Sequence, residues 1–203
     1  MATPDVAKLL DPHGRTFCDE LGIRIARNTP QPLFQWLTAC ILYANPIQRD
    51  LAATAAKAVF KSGLRSAKAM AASSWEERAE VLGWNKFGQY SERTATILKD
   101  AADLVLERYG GDLRRLRAAA DGDVDEVRRL LKEVKGVGDV AATIYLREVQ
   151  TAWPEFHPYA DDLALRASER HGLGATPQEL AEHVCQEDFA RLVAALTREE
   201  LSQ

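Results

Sequence analysis

The sequence is poor in cysteine and has no long apolar segment. Its three cysteines, Cys18, Cys40 and Cys185, are too scattered for a zinc or haem site, and their odd number argues against a disulfide scaffold. No apolar run approaches the roughly 18 residues of a membrane span, and residues 1–5 lack the basic-then-apolar pattern of a signal peptide. We therefore expect a cytoplasmic protein with reduced, buried thiols, no metal site and no membrane contact.

An excess of positive charge is also missing. The formal net charge of the 203 residues is −4, whereas nucleic-acid-binding domains usually carry a basic surface. Positive residues are nevertheless concentrated in one segment. They are Arg114, Arg115, Arg117, Arg128, Arg129, Lys132 and Lys135. Such a run is either a local phosphate-binding surface or an ordinary solvated helix face, and composition leaves both open.

Strand-like alternation is almost absent, as are low-complexity tracts, flexible linkers and internal repeats. Apolar residues instead recur at helical spacing, for example between positions 51 and 59. The segment from 34 to 44 is apolar on nearly every side, which predicts a helix buried all round and ended by Asn45-Pro46. The sequence predicts an all-α fold in one structural unit.

A glycine-containing turn joins two predicted helices in the second half of the chain. An amphipathic helix from 125 to 134 precedes Lys135-Gly136-Val137-Gly138, and a second helix extends from 139 to 149. The two glycines leave backbone amides free to face an anion such as a DNA phosphate, while Val137 would anchor the turn in the core and Lys135 would add positive charge. On spacing alone, an ordinary connection between helices explains the turn equally well.

The turn Val134-Lys135-Gly136-Val137-Gly138 resembles the helix-hairpin-helix (HhH) of endonuclease III-like DNA glycosylases, the HhH-GPD superfamily. The usual pattern is roughly Leu-Pro-Gly-Val-Gly, so Lys135 replaces the proline. In this superfamily a Gly/Pro-rich loop and an aspartate follow the hairpin, and the loop from 153 to 160 followed by Asp161 is similar. The residues that match this stretch in register are Asp161, Arg166, Arg170, Gly172 and Leu173. Segments 32–44 and 90–111 are also similar, and the resemblance covers about residues 30 to 175.

The resemblance implies a two-lobed HhH-GPD glycosylase fold of about nine to eleven helices. A six-helix-barrel lobe would span 30–135, a terminal helical lobe would combine 1–29 with 136–203, and the HhH at 125–149 would span their junction. The DNA-binding residues implied are Lys135, Gly136, Val137, Gly138 and Asn45. Asn45 occupies the place of a glutamine that fills the gap left by a flipped base, and it offers the same hydrogen-bonding groups on a shorter side chain.

The same resemblance assigns a catalytic role to Asp161. Its carboxylate would stabilise positive charge on the sugar or orient a water molecule, although a cap at the start of a helix, by Asp161 or its neighbour Asp162, is the structural alternative. Bifunctional relatives carry a Schiff-base lysine at the position of Val140, so a monofunctional hydrolytic glycosylase is expected. Each candidate residue of the base pocket has an aromatic ring in its side chain. They are Tyr43, Tyr159 and His157.

Many relatives hold a four-cysteine iron–sulfur cluster near the C-terminus, where this chain has only Cys185, so no cluster is expected. No small-molecule cofactor is implied, and a monovalent cation at the hairpin is compatible with the motif. The implied partner is double-stranded DNA, with localisation to the bacterial nucleoid. Neither the lesion nor the oligomeric state can be predicted. A catalytically inactive DNA-binding HhH protein and a helical protein-interaction domain remain as alternatives.

Overall fold

The computed structural model describes residues 4–84 and 88–202, and within these ranges every regular element is a helix. The α-helices are α1 (Pro4–His13), α2 (Phe17–Glu20), α3 (Pro30–Tyr43), α4 (Arg49–Lys61), α5 (Ala67–Ala72), α6 (Trp75–Trp84), α7 (Ser91–Tyr109), α8 (Leu113–Ala119), α9 (Val124–Glu133), α10 (Asp139–Val149), α11 (Asp162–Arg170), α12 (Pro177–Ala181) and α13 (Gln186–Leu201). Short 3-10 helices lie at Ile25–Arg27, Gly88–Tyr90 and Pro154–Phe156. The predicted all-α fold is confirmed.

The described part of the chain has thirteen α-helices, more than the nine to eleven expected. Three of them, α2, α5 and α12, contain only four to six residues. A helix of this length spans fewer than two turns, so its apolar residues cannot repeat often enough to reveal a period. The excess therefore lies in elements that carry no periodic signal.

The chain divides into two compact units. Residues 27–145 form one continuous unit, here called the central unit. Residues 1–26 and 146–203 together form the other, here called the terminal unit. Helix α10 contributes to both, because the division falls within it.

Helix α3 is the core of the central unit. Every residue from 32 to 42 is buried, and the helix packs against α4, α7 and α8. Proline at the first helical position costs no hydrogen bond, so Pro30 can begin the helix. The indole N–H of Trp36 donates to the backbone oxygen of Tyr145, 3.1 Å away, which satisfies the polar atom of a fully buried ring. The predicted helix buried all round is confirmed.

Helix α13 organises the terminal unit, and α1 and α11 both pack against it. Its four residues in the apolar core, at positions 189, 192, 193 and 196, follow helical spacing, and every residue from 192 to 197 is buried. The core of this unit consists of Val6, Ala160, Ala164, Ala167, Leu173, Leu180, Phe189, Leu192, Val193 and Leu196. Helix α11, which begins directly after Asp161, is thus fixed by apolar packing along its length.

A buried carboxylate ties the two sequence segments of the terminal unit together. Glu148, near the end of α10, accepts hydrogen bonds from the backbone N–H groups of Phe17 at 2.5 Å and Cys18 at 2.6 Å. Burial raises the pKa of Glu148, against the effect of these two hydrogen bonds. Segment 1–26 is therefore held to α10 through a polar contact inside an apolar interior.

No helix in residues 4–84 and 88–202 combines the length and the apolar character needed to cross a lipid bilayer.

Candidate functional site

The predicted hairpin lies between α9 and α10 in the central unit. Helix α9 ends at Glu133, Val134 leaves it in an extended conformation, and α10 begins at Asp139. Val137 is only 5% exposed, and its N–H donates to the oxygen of Val134 at 3.0 Å. The turn is therefore anchored by its central valine, while Lys135 and both flanking glycines are exposed.

The structure of the turn requires glycine at position 136 but not at position 138. Gly136 has φ +84°, and a Cβ there would lie 2.3 Å from Cγ2 of Ile97, so both backbone conformation and packing require glycine. Gly138 lacks a positive φ, and a Cβ on it would meet nothing within 4 Å. Its missing side chain serves no packing inside this unit and leaves open space in front of the first turn of α10.

Three backbone donors lie at the turn and at the start of α10. The oxygen of Gly138 accepts the first helical hydrogen bond, from Ala142 at 3.0 Å. Within the described parts of the chain, the amides of Gly136, Gly138 and Val140 donate no hydrogen bond. Together with the positive end of an eleven-residue helix, these amides can bind an anion.

The charge around the turn is mixed. Lys135 adds a cation beside the amides, whereas Asp139 places a carboxylate at the first position of α10. The Asp139 side chain is 74% exposed and pairs with Lys132 at 2.7 Å, which lowers the pKa of Asp139. Asp139 therefore partly offsets the positive charge that the rest of the turn offers to a phosphate.

Val140 is the residue that the sequence resemblance places at the Schiff-base lysine position. It is 61% exposed, although apolar, and it lies in the first turn of α10. An aliphatic side chain has no nucleophilic amine, so this position cannot form a Schiff base.

Asn45 and Tyr43 lie at the end of α3. The Nδ2 group of Asn45 donates to the oxygens of Ile41 at 2.9 Å and Leu42 at 3.4 Å, so its amide nitrogen terminates the helix. The half-buried ring of Tyr43 lies edge-on to Trp36, with centroids 6.5 Å apart. Both residues thus have structural partners in the central unit beside the roles predicted for them.

Asp161 lies in the terminal unit and uses both carboxylate oxygens. Oδ1 accepts from the N–H of Ala164 at 3.2 Å, which caps α11. Oδ2 lies 3.1 Å from Nε of Arg147, and the two side chains are only 7% and 6% exposed. The Nε–H is not aligned with the oxygen, so this contact is an ion pair without a well-formed hydrogen bond. The cap is thus supplied by Asp161, while Asp162 begins the helix and is exposed.

Arg147 was not among the residues predicted from the sequence. The sequence carried one signal, because Arg147 and Glu148 are adjacent charges in an otherwise mostly apolar helix. The structure shows that both side chains are buried. Buried charges are rare unless they are paired. The partner of Arg147 lies 14 positions later in the chain, and the sequence does not reveal that contact.

His157 and Tyr159 lie in the loop that leads to Asp161. The side chain of Gln150 holds the backbone of Tyr159 by two hydrogen bonds. Its Nε2 donates to the backbone oxygen of Tyr159 at 2.8 Å, and its Oε1 accepts from the backbone N–H of Tyr159 at 3.0 Å. The His157 ring lies edge-on to Phe189 at 4.8 Å, and burial lowers the pKa of His157. The loop is therefore anchored at both residues, and the His157-Pro158 peptide bond is cis.

The cysteines do not provide a cluster site. Cys18 and Cys40 are buried as expected, but the expectation of a buried thiol is wrong for Cys185, which is exposed and contacts Asp188 at 3.5 Å. Among the described residues, no group of three or more His, Cys, Asp or Glu side chains is arranged to hold a metal ion. A four-thiolate iron–sulfur cluster needs four cysteines, and the chain has three, so its residues do not fit such a group.

Comparison with solved structures identifies the architecture. A trapped covalent endonuclease III–DNA intermediate, an estranged-adenine complex, is matched with a TM-score of 0.57 over 95% of this chain and 80% of that chain. A non-covalent endonuclease III–DNA complex gives 0.58 over 95% and 81%. Sequence identity is 19% in both cases. No family model and no curated protein matches the sequence. The chain therefore has the fold of endonuclease III.

Proposed function

We propose that the protein is a monofunctional DNA glycosylase, which hydrolyses the N-glycosidic bond of a flipped damaged or mismatched base in duplex DNA. The observation that carries this proposal is the exposed hairpin, whose amides at Gly136, Gly138 and Val140 donate no hydrogen bond within the described residues. DNA in both solved structures with this fold supports DNA as the partner.

The hairpin supplies the phosphate contact in this proposal. Backbone amides at a helix start bind phosphate without reading the base sequence, so the turn positions the duplex. The open space at Gly138 allows a phosphate oxygen to approach the amides closely. Lys135 contributes the adjacent positive charge.

The carboxylate of Asp161 supplies the chemistry. Breaking the bond between C1′ and the base nitrogen leaves positive charge on the sugar, and a fixed carboxylate stabilises that charge or orients the attacking water. Because the product keeps an intact strand with an abasic site, no amine is needed. Val140 in place of the lysine agrees with this hydrolytic course. Tyr159 and His157, which lie in the same unit as Asp161, are proposed to contact the flipped base, and Tyr43 keeps the role that the sequence resemblance implies.

The proposal needs no redox or small-molecule cofactor. The three cysteines do not suffice for an iron–sulfur cluster, and a monovalent cation bound by the hairpin remains part of the proposal. The glycosylase would therefore act as the polypeptide alone or with one such ion.

A second candidate is a non-catalytic DNA-binding protein of the same fold. It is favoured by the two partners of Asp161, because a carboxylate that caps α11 and pairs with Arg147 already has a structural role. In this case the hairpin would bind duplex DNA and no base would be released.

The deciding experiment uses labelled duplexes that each carry one alkylated, oxidised or mismatched base. Strand breaks are measured with and without alkali for the wild type, Asp161→Asn and the neighbouring control Asp162→Asn. Alkali-dependent breaks that disappear only in Asp161→Asn are the expected result. Breaks without alkali would contradict the monofunctional assignment. Duplex binding with no breaks on any lesion would favour the non-catalytic DNA-binding protein. If the protein neither binds the duplexes nor produces breaks, both candidate functions are refuted.

A further inference from the structure

Two side chains at the end of α10 hold the segment that contains Asp161. Arg147 lies in the last turn of α10, and Gln150 is the residue that directly follows the helix. Gln150 makes two hydrogen bonds with the backbone of Tyr159, two residues before Asp161. Arg147 pairs with the Asp161 carboxylate itself. The backbone before Asp161 and its carboxylate are therefore both held by side chains from one short stretch, residues 147–150.

Capping alone does not account for the buried arginine. Asp123 caps α9 from an exposed position by accepting from the amides of Asp125 and Glu126. Asp161 does the same for α11, yet its side chain is 7% exposed and lies against an equally buried cation. Transferring a charge into the interior is costly, so a cap that needed only an acceptor would be cheaper at the surface. The burial of Arg147 with Asp161 calls for a further role.

We propose that Arg147 is a positioning residue for the Asp161 carboxylate in glycosidic-bond hydrolysis. This inference rests on the proposed glycosylase function. The guanidinium fixes the direction of Oδ2, the amide of Ala164 fixes Oδ1, and each oxygen keeps a second lone pair for a water molecule or for the developing sugar cation. Arg147 acts through Asp161 and does not itself contact the substrate.

The test measures single-turnover excision on a duplex that carries the lesion excised by the wild type. The variants are Arg147→Met, which keeps length and removes charge, and Arg147→Lys, which keeps the charge without the planar fork. The matched control is Arg198→Met, because Arg198 also lies over the ring of Phe17 but pairs with Glu20. Affinity for a duplex with a tetrahydrofuran abasic site is measured in parallel, and thermal melting reports folding.

Arg147→Met is expected to lower the excision rate on the order of 10²-fold while duplex affinity changes little. Arg147→Lys should recover part of this rate, and Arg198→Met should retain the wild-type rate. In an Asp161→Asn background, Arg147→Met should cause no further loss, because the residue through which it acts is gone. A residue that only stabilises the fold is not expected to lower the excision rate while leaving duplex affinity unchanged.

An excision rate in folded Arg147→Met equal to that of Arg198→Met would overturn the inference alone. If Arg147→Met does not fold, Arg147→Lys decides: an intermediate rate supports the positioning role, and the wild-type rate refutes it. A wild type that excises no lesion would refute the proposed glycosylase function, and the positioning role with it.

Discussion

At the scale of single residues, the carboxylate of Asp161 has two partners, the amide of Ala164 and the guanidinium of Arg147. A substitution there changes a helix cap and a buried ion pair together with any chemistry. Loss of excision in Asp161→Asn is therefore informative only when the variant still melts cooperatively. The exposed neighbour Asp162 shares its charge and sequence context without these contacts, which makes it the appropriate control.

Val140→Lys is expected to introduce a trappable amine at the start of α10. The position is 61% exposed, so a lysine fits without displacing the core. With an abasic-site duplex and borohydride, the variant should form a covalent protein–DNA adduct and give breaks without alkali. Val140→Met, which fills the same site without an amine, should give neither. An adduct of equal yield with the wild-type protein would contradict the monofunctional assignment.

His157→Phe is expected to remove part of the acid sensitivity of the fold. Burial lowers the pKa of His157 below its ordinary 6.5, so the folded state binds the proton less readily than the unfolded state. The stability contribution is present above pH 6.5 and decreases as the pH falls through 6.5 toward the folded-state pKa. Phenylalanine keeps the edge-on contact with Phe189 without titrating.

Urea unfolding at pH 7.5 and pH 5.5 measures this effect. The loss of unfolding free energy between the two pH values should be smaller in His157→Phe than in the wild type. Equal losses would show that His157 makes no contribution to the acid sensitivity.

At the scale of elements, the α9–α10 turn combines one glycine required by the fold with one that is not. Gly136 packs against α7 through Ile97, whereas Gly138 faces open space. This difference separates stability from the proposed phosphate contact within three residues of sequence.

Gly136→Ala is expected to reduce stability, whereas Gly138→Ala is expected to reduce duplex affinity. Gly136→Ala should lower the unfolding free energy by about 2–4 kcal/mol, because it combines a positive φ with a clash against Ile97. Gly138→Ala should leave stability within about 0.5 kcal/mol and weaken duplex binding about tenfold. Chemical denaturation and fluorescence anisotropy measure the two effects. Unchanged duplex affinity in Gly138→Ala would argue against phosphate binding at the turn.

Local signals in the sequence predict the elements near the hairpin closely. The helices expected at 125–134 and 139–149 are found at Val124–Glu133 and Asp139–Val149, because periodicity and glycine placement are properties of neighbouring residues. The contact between Arg147 and Asp161 depends on tertiary folding across 14 positions, and the short helices carry no period. The proposed roles of Asp161, Asn45 and the aromatic residues stay predictions.

At the scale of the whole molecule, the net charge of −4 opposes long-range attraction to DNA. The proposed binding then depends on charges close to the phosphates, because salt screens charges beyond about 8 Å at physiological ionic strength. The hairpin has free amides and Lys135, but it also carries the exposed carboxylate of Asp139. The position of each charge matters more than the total.

Asp139→Asn is expected to raise duplex affinity by about three- to tenfold in 0.15 M salt, because it removes a carboxylate beside the proposed phosphate site and releases Lys132 from its ion pair. Asp125→Asn makes the same change in net charge in the first turn of α9, at the end of this helix that lies away from the hairpin. It should alter duplex affinity less than twofold. Anisotropy titrations over a range of salt concentrations compare the two variants. Equal gains would indicate that total charge, and not the hairpin, controls binding.

The buried bonds from Phe17 and Cys18 to Glu148 also have a consequence for synthesis on the ribosome. The central unit, residues 27–145, is continuous and can fold as it emerges. Residues 1–26 emerge earlier but gain their partners only after segment 146–203 has been translated. Segment 1–26 therefore leaves the ribosome before the central unit but reaches its native contacts after it, and its apolar side chains stay exposed to chaperones and proteases during that interval.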